Sequence, residues 1–479
     1  MSSSASARTP SPDVSVSGGL PVFPRGFFFG AATASYQIEG GAGEDGRGPS
    51  IWDTYCRRPG RITGGASGDV ACDHYHRWPE DIALMKDLGL DTYRFSIAWP
   101  RIQPTGTGPA NTPGLDFYDR LVDALLEAGI TPAATLYHWD LPQALEDTGG
   151  WRVRSTVDAF TDYTRIVAER LGDRVGRWFT LNEPFCTAFV GHAIGRHAPG
   201  TREGTPALAA AHHLLLAHGH AARILKDTTR GDVGIALNPD RLLPATHDPA
   251  DLAACARAET LHNTIWLDPL LAHRYPTTET DTWGPLIQDP TWRHDGDLDI
   301  ITTPLDFLGI NYYRPITIAH TPHQDPDPTT RTATDIRATE TWQDGVRHTA
   351  MDWPVVPSSL TDLLTDLKHR YPTLPPIVIT ENGSAEHGDT PGPDGRIHDT
   401  DRITYLHTHL TALTHAINNG IDIRGYYAWS LMDNFEWAHG YTKRFGLIHI
   451  DYTTQTRTPK DSYHWYHHLI THHHNTHTP

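Results

Sequence analysis

Two glutamates, Glu183 and Glu381, stand where apolar, strand-like stretches of the sequence end, and each is next to an asparagine. Glycoside hydrolysis needs two carboxyl groups on either side of the scissile bond, and the retaining mechanism needs them ~5–5.5 Å apart. A single glutamate after a strand is usually solvated or salt-bridged, whereas two such glutamates are typical of this chemistry. We therefore predict that Glu183 and Glu381 form a catalytic pair.

The surroundings of the two carboxyls are expected to separate their pKa values. Arg94 and the hydroxyl of Tyr313 can stabilise an ionised Glu381 and keep it nucleophilic. Glu183 is expected to lack such a cation and to lie against apolar walls, which raises its pKa until it can act as a general acid. Arg94 could equally form a structural ion pair in the core, and both roles can hold.

The sequence also contains side chains that suit a sugar. A sugar ring has apolar faces and a rim of hydroxyls, so its site needs aromatic platforms together with amide, imidazole and carboxylate groups. The candidates for hydrogen bonding are Gln37, His138, Asn182 and Glu436. Trp429 and Trp437 are the candidate platforms, because they share one short segment with two acidic residues. In that segment Asp433 and Asn434 either shape the loop or touch ligand.

The elements that must position these residues alternate between β-branched or aromatic runs and amphipathic helices. The predicted strands are residues 27–32, 92–98, 131–137, 177–181, 233–238, 307–312, 377–380 and 425–429. The predicted helices include 79–88, 115–127, 153–171, 207–226, 358–370 and 401–418. Eight strand–helix units predict a single (β/α)8 TIM barrel, in which extended loops at the carboxyl ends of the strands form the active-site pocket.

Composition limits the classes of partner. The 479 residues include 39 Lys and Arg against 57 Asp and Glu, a formal charge of −18. Such a charge disfavours binding to nucleic acid or to an anionic membrane, and it favours a neutral small-molecule substrate. The chain contains no apolar run of about 18 residues, which is the length that spans a bilayer.

The N-terminal segment and the cysteines indicate the cellular location of the protein. Residues 1–20 are rich in Ser, Ala and Pro and lack the apolar run of a secretory signal, so we expect a disordered leader, followed by the barrel domain over residues 21–479. The four cysteines have no CxxC spacing and are expected to be reduced thiols. Together these features predict a cytoplasmic protein.

Seven motifs together resemble one known family. They are residues 29–40 (FGAATASYQIEG), 93–99 (YRFSIAW), 137–142 (YHWDLP), 180–184 (TLNEP), 311–313 (NYY), 379–383 (ITENG) and 429–437 (WSLMDNFEW). From about residue 23 to the end, the sequence is similar to glycoside hydrolase family 1, the β-glucosidase family of clan A.

The resemblance implies a retaining exo-β-glycosidase that removes terminal, non-reducing β-D-glucosyl residues by double displacement. Its substrate is expected to be a small β-glucoside or a short oligosaccharide, with β-galactosides and β-fucosides as side substrates and with no metal or organic cofactor. Glu183 matches the acid/base of the family and Glu381 its nucleophile. The sugar-binding positions that the resemblance implies are Gln37, His138, Asn182, Trp429, Glu436 and Trp437, with Trp139 in the same motif as His138.

Other positions carry over as supporting residues. Tyr313 matches the residue that hydrogen-bonds the nucleophile, and Asn311 supports it. Trp353 matches an aromatic on the aglycone side, and Phe445 one that closes the glycone pocket. The resemblance also implies a cis peptide between Trp429 and Ser430.

Some positions depart from the usual family pattern. Asp352 and Pro354 stand where Gly and Glu are usual, and Phe185 stands where Trp is common, so the natural aglycone remains open. Glu436 is a carboxylate where the 6-phospho-glycosidases have Ser, which favours an unphosphorylated substrate even though Lys443 resembles a phosphate-side lysine.

Three alternatives are weighed against this interpretation. A metal-dependent hydrolase would account for the 31 histidines, but the cluster at 467–474 is expected to be a solvated tail. A sugar-binding protein without turnover would have lost one carboxyl. An endo-acting enzyme of the same clan would not need the closed grip that Gln37, His138 and Glu436 are expected to give.

Overall fold

A computed structural model describes residues 19–203, 206–276, 291–321, 337–341 and 345–477 of the chain. Residues 1–18, most of the predicted leader, lie outside the described residues. The division into a leader over 1–20 and a barrel domain over 21–479 therefore stays a prediction.

Eight parallel strands close into a barrel, as the sequence predicts. In chain order the strands are β1 (Phe28–Ala32), β2 (Thr92–Ser96), β3 (Thr131–Thr135), β4 (Arg177–Asn182), β5 (Asp232–Leu237), β6 (Phe307–Asn311), β7 (Ile377–Asn382) and β8 (Ile423–Trp429). Each strand pairs with its neighbours in sequence order, and β1 pairs with both β2 and β8. The predicted (β/α)8 barrel is confirmed, and all eight strands lie within a few residues of their predicted positions.

Helices follow every strand and surround the barrel. They are α1 (His74–Leu88), α2 (Thr112–Glu127), α3 (Ser155–Leu171), α4 (Pro206–Thr228), α5 (Pro249–Glu259), α6 (Ile265–Leu271), α7 (Asp297–Ile301), α8 (Ser358–Arg370), α9 (Thr400–Asn418) and α10 (Asp461–His477). Short α-helical turns form at Ser35–Ile38, Ile51–Cys56, Trp99–Ile102 and Gln143–Glu146, and π-helical turns at Cys186–Ala193 and Thr260–Thr264. No helix in the described ranges combines the length and the apolar character needed to cross a bilayer.

Two apolar layers hold the barrel together. The larger layer lies between the strands and the surrounding helices. The smaller layer fills the barrel interior, where small side chains lie beside aromatic rings: Ala32, Ala133, Phe179, Ala236, Phe307 and Tyr427. Arg94 also lies inside, fully buried, with its guanidinium 4.9 Å above the ring of Phe179. A cation is thus fixed beneath the barrel mouth.

The loops add elements that the sequence pattern did not predict. Strands Arg241–Pro244, Pro315–His320 and Ala338–Thr341 form a small sheet after β5 and β6. Strands Ile448–Asp451 and Thr456–Pro459 form a hairpin after β8. These pieces extend the loops at the carboxyl ends of the strands.

Helix α1 begins earlier than predicted. Pro79 was expected in the first turn, but the helix starts at His74 and Pro79 lies inside it. The additional turn is held by tertiary contacts, because His74 Nδ1 lies 2.7 Å from Asp81 Oδ2 and Arg457 donates to the same carboxylate. Such contacts cannot be read from local sequence.

The C-terminal histidines do not form a solvated tail, so that prediction is wrong. They belong to α10, in which His473 is buried with its Nε2 3.1 Å from the carbonyl oxygen of Phe27. His467 Nδ1 lies 3.2 Å from the carbonyl of Leu88. His467 and His473 thus contact backbone carbonyls of the barrel, while His468, His472 and His474 lie on the exposed face of the helix.

Candidate active site

The two glutamates that were predicted to form a pair lie at the carboxyl ends of strands β4 and β7, at the mouth of the barrel. Glu183 directly follows β4, and Glu381 is the penultimate residue of β7. Both side chains are buried. A hydrogen-bonded chain links them: Arg94 contacts both Glu381 and Asn182, and Asn311 contacts both Asn182 and Glu183. The two carboxyls therefore belong to one network.

Glu381 is held by a cation and a phenol. Arg94 Nη1 donates to its Oε1 at 2.7 Å, and the Tyr313 hydroxyl donates to its Oε2 at 2.7 Å. Burial raises the pKa of Glu381, while the charge of Arg94 and the Tyr313 hydrogen bond oppose that rise. Both contacts agree with the sequence prediction.

Glu183 is held by neutral donors. Asn311 Nδ2 donates to Oε1 at 2.7 Å, and the thiol of Cys186 lies 3.1 Å from Oε2. Burial raises the pKa of Glu183, and repulsion from Glu381 raises it further. This direction is the one predicted from the sequence.

Cys186 is a contact that the sequence analysis missed. It lies three residues after Glu183, and its backbone N–H donates to the Glu183 carbonyl at 2.9 Å. Because residues three apart in a helical turn lie on the same side, this spacing was the available signal.

A set of polar side chains lines one side of the mouth. Asn182 Oδ1 accepts from Arg94 and from Asn311, so its amide nitrogen must be the donor toward His138 Nε2, 3.0 Å away. The proton of the neutral imidazole is therefore on Nδ1. Burial, followed by the charge of Arg94, lowers the pKa of His138 well below its usual value, which keeps the ring neutral.

Three buried polar atoms in this set have no hydrogen-bond partner among the described residues: Gln37 Oε1, His138 Nδ1 and Glu436 Oε2. The other end of Gln37 is fixed, because its Nε2 donates to Asn434 Oδ1 and to the carbonyl of Phe435. Buried polar groups normally have partners, so three exceptions that lie together at the barrel mouth are candidates for contact with a ligand. An acceptor, a donor and a carboxyl together match the donor and acceptor character of sugar hydroxyls.

Aromatic rings surround these polar groups. The centroid of Trp437 lies 4.4 Å from that of Trp139 and 5.9 Å from that of His138, and Trp429 stacks on His138 at 5.9 Å. Trp139 is also fixed by its Nε1, which donates to the carbonyl of Asn182 at 2.8 Å. The predicted sugar-binding residues therefore lie together.

A second group of rings lies on the Glu381 side. The Trp353 centroid is 5.3 Å from that of Tyr313 and 6.0 Å from that of Phe445. These rings and Trp429 belong to the same apolar cluster. The rings of Trp353 and Phe445 thus surround the tyrosine that holds Glu381.

The backbone at the strand ends is strained. Trp139, Glu183 and Trp437 have φ values of 78°, 41° and 47°, in the left-handed region that side chains other than glycine rarely adopt. Such residues cost about 1–3 kcal/mol each and are concentrated at functional sites. The Trp429–Ser430 peptide is cis, as the resemblance implied.

The loop that follows β8 is shaped by residues that the sequence left open. Asp433 accepts hydrogen bonds from Lys460 Nζ and from Arg444 Nη1, while Asn434 holds Gln37. Both residues therefore shape the loop. Lys460 was missed, and nothing in its local sequence would have indicated the contact.

In the part of the chain that the structure describes, no group of three or more His, Cys, Asp or Glu side chains is arranged to hold a metal ion.

Comparison with known proteins places the chain in a family. Residues 21–475 match the family model described as Glycosyl hydrolase family 1. The chain belongs to glycosyl hydrolase family 1. It is a glycoside hydrolase, and the predicted resemblance is confirmed.

Relatives of this family 1 hydrolase are similar over nearly their whole length. Beta-glucosidase A of Acetivibrio thermocellus is 44% identical over 449 residues, which cover 94% of this chain and 98% of that protein. A bifunctional beta-D-glucosidase/beta-D-fucosidase of Bifidobacterium breve is 45% identical over 467 residues, 94% of this chain and 99% of that protein. The family 1 β-glucosidase of Thermotoga maritima in complex with isofagomine lactam is 43% identical and has a TM-score of 0.87, covering 95% of this chain and 100% of that one.

Proposed function

We propose that this family 1 hydrolase is a β-glucosidase that removes terminal, non-reducing β-D-glucosyl residues with net retention, with Glu381 as nucleophile and Glu183 as acid/base. The observation that carries the two roles is the difference between their partners. Glu381 is bound by Arg94 and Tyr313, whereas the donors that contact Glu183, Asn311 and Cys186, are neutral. The anion and the acid of a retaining pair need this difference.

In the first step, an oxygen of Glu381 bonds to the anomeric carbon while the bond to the aglycone oxygen breaks. Glu183 gives its proton to that oxygen, and the aglycone leaves as an alcohol. Because Glu381 is then an ester without charge, the repulsion that raised the pKa of Glu183 is removed. In the second step Glu183 takes a proton from water, the water oxygen bonds to the anomeric carbon, and Glu381 is released.

The glycone is proposed to bind beside Glu183 and Glu381, where Gln37 Oε1, His138 Nδ1 and Glu436 Oε2 would meet its hydroxyls. Trp429 and Trp437 would contact its ring faces, and Trp139 would support Trp437. On the opposite side Trp353 would contact the aglycone and Phe445 would close the glycone pocket. The supporting observations are the unsatisfied polar atoms and the ring contacts.

The substrate range is proposed to include β-fucosides. The relative that is named a bifunctional beta-D-glucosidase/beta-D-fucosidase supports this extension. β-Galactosides are a further proposed side substrate, and a panel of nitrophenyl glycosides with cello-oligosaccharides would rank all three. The predicted cytoplasmic location stays a prediction.

The test uses azide as a small external nucleophile. Glu381→Gly is expected to lose turnover of dinitrophenyl β-D-glucoside, and azide should restore it with α-glucosyl azide as product, because azide occupies the face that Glu381 leaves. Glu183→Gly is expected to form its glycosyl-enzyme from this activated substrate and to give β-glucosyl azide. The anomers are distinguished by proton NMR.

Glu146→Gln is the matched control, since Glu146 is also a buried glutamate but is paired with Arg152. It should keep turnover without azide. If both Gly variants gave the same anomer, the assignment of the two roles would be wrong.

A further inference from the structure

The thiol of Cys186 touches the proposed acid/base directly. Its Sγ lies 3.1 Å from Glu183 Oε2, the carboxyl oxygen that Asn311 does not contact. The contact is built into the local backbone, because Cys186 starts the π-helical turn Cys186–Ala193 that follows β4. Within this turn the N–H of Ile194 donates to the carbonyl of Phe189, five residues earlier, which widens the helix beside the active site.

The thiol must be the donor in this contact when Glu183 is ionised. Burial raises the pKa of Cys186 well above its usual value, and the neighbouring charge of Glu183 raises it further, so the sulfur keeps its proton. On its other side the sulfur lies 4.0 Å from Asn238 Nδ2, which can donate to it. Because the sulfur accepts a hydrogen bond from the side-chain amide of Asn238, its own S–H points toward Glu183.

The two oxygens of Glu183 therefore have different partners. Asn311 is a fixed donor, because its Oδ1 accepts from Thr380 and leaves its Nδ2 to bind Oε1. A thiol is a weak hydrogen-bond donor that can also accept. Reversing the direction of its hydrogen bond with Oε2 therefore costs little free energy. A thiol on Oε2 can donate when Glu183 is ionised and can accept when that oxygen is protonated, so it can accompany both states of an acid/base.

We propose that Cys186 is a positioning residue: its S–H···Oε2 hydrogen bond orients the Glu183 carboxyl and adjusts how tightly that carboxyl holds its proton. This inference rests on the proposed role of Glu183. The charged groups that face this contact are Glu381 and Arg94 on the side of the barrel and Arg196 and Asp240 on the side of the thiol. They are left unchanged in the variants below.

The first test is the pH dependence of kcat/KM for phenyl β-D-glucoside, whose poor leaving group requires the acid. The alkaline limb of this profile reports the acid of the free enzyme. Cys186→Ala removes a donor from the ionised form of Glu183, so the alkaline limb should move to higher pH by about half a unit. Cys186→Ser keeps a donor of similar size and should return the limb to the wild-type position or below it.

Cys255→Ala is the matched control. Cys255 is a partly buried thiol on α5, and its removal should leave the limb in place. A limb that does not move in Cys186→Ala would overturn the inference. Equal shifts in Cys186→Ala and Cys186→Ser would also overturn it, because they would show an effect of volume and not of the hydrogen bond.

The second test needs no folded alanine variant. The infrared S–H stretching band of Cys186, assigned in the wild-type protein by its loss in Cys186→Ser, should move to lower frequency as the pH rises through the alkaline limb. If no thiol band changes across that range, the contact does not respond to Glu183 and the inference fails.

Glu183→Gln distinguishes failure of the proposed role of Glu183 from failure of the proposed role of Cys186. Full turnover of phenyl β-D-glucoside in that variant would remove the proposed role of Glu183 itself, whereas lost turnover with an unmoved limb in Cys186→Ala would remove only the role of Cys186.

Discussion

Three buried carboxyls share the candidate active site, and their charges are coupled. Burial, together with the charges of Glu381 and Glu183, raises the pKa of Glu436 to about 8. Each ionised carboxyl makes ionisation of the others harder, so their titration belongs to the group and not to one residue. Glu381 is the member that Arg94 and Tyr313 contact, and we expect it to ionise first. Loss of the first proton therefore leaves an ionised Glu381 beside a protonated Glu183, the state that the proposed roles require.

The hydrogen bond from Tyr313 to Glu381 can be tested through the acid limb of the kcat/KM profile. Tyr313→Phe removes a donor from the ionised carboxyl, which makes ionisation less favourable and raises the pKa of Glu381. The acid limb should therefore move to higher pH by about half to one unit. At the optimum kcat/KM should fall by about 10-fold or more, since one group that positions the nucleophile is lost.

Tyr441→Phe is a suitable control for that change. The Tyr441 hydroxyl donates to the carbonyl of Ser67 and forms no hydrogen bond with Glu183 or Glu381. Its loss should leave both limbs in place. An unmoved acid limb in Tyr313→Phe would contradict the assignment of Glu381 as the ionised group of that limb.

At the scale of the element, the loop after β8 depends on a buried charge network. Lys460, fully buried, donates to Asp433 Oδ1 at 2.8 Å and to Asp389 Oδ2 at 2.5 Å. Asp389 follows β7 and is also bound by Arg402 of α9. The Lys460 ammonium thus joins the segment after β7 to the loop after β8. Glu381 lies at the end of β7, and Glu436 lies in the loop after β8.

Replacing that ammonium should cost both stability and binding. Lys460→Met leaves two buried carboxylates with fewer cations, and breaking a buried ion pair from one side costs about 3–5 kcal/mol. We expect the free energy of unfolding in urea to fall by about 3 kcal/mol and KM to rise, because the loop with Glu436 loses its anchor. Lys368→Met, at an exposed lysine of α8, is the control. It should change the free energy of unfolding by no more than about 0.5 kcal/mol and leave KM nearly unchanged. Equal stability of the two variants would contradict the role of the network.

The sequence predicted the elements whose residue pattern can be recognised within one segment. The strands were found because they are rich in β-branched or aromatic residues, and strands such as β2 and β7 are buried on both faces. The small sheet formed by Arg241–Pro244, Pro315–His320 and Ala338–Thr341 was missed, because these strands lie in loops and pair outside the repeated strand–helix pattern. Helix α10 was missed because His467 and His473 gain their carbonyl partners only in the folded barrel.

The same distinction applies to the site. Glu183, Glu381 and the proposed glycone residues stand at strand ends or in the loops that follow them, so the barrel topology predicted that they meet. Cys186 is three residues from Glu183, and helical spacing could have found it. Lys460 and Asp389 are 71 residues apart, and only the packing of α10 against the barrel brings them together. Contacts of this kind follow from tertiary structure and from no local pattern.

At the scale of the whole molecule, the formal charge of −18 creates a negative field around the barrel. The field should weaken binding of anionic substrates and leave neutral glucosides unaffected. Beside Trp353, the cation Arg314, whose guanidinium lies 5.5 Å from the ring centroid of that tryptophan, is paired with Glu340.

Ionic strength separates these two kinds of substrate. Because added salt screens the field over about 10 Å at 0.1 M, kcat/KM for 2-carboxyphenyl β-D-glucoside should rise several-fold between about 0.01 M and 0.5 M NaCl. The neutral phenyl β-D-glucoside should change by less than about 2-fold over the same range, and it serves as the control for effects of salt on the fold. A carboxylated substrate that is turned over best at low salt would mean that a cationic patch at the mouth outweighs the charge of the molecule, and the expectation of a neutral natural substrate would then be wrong.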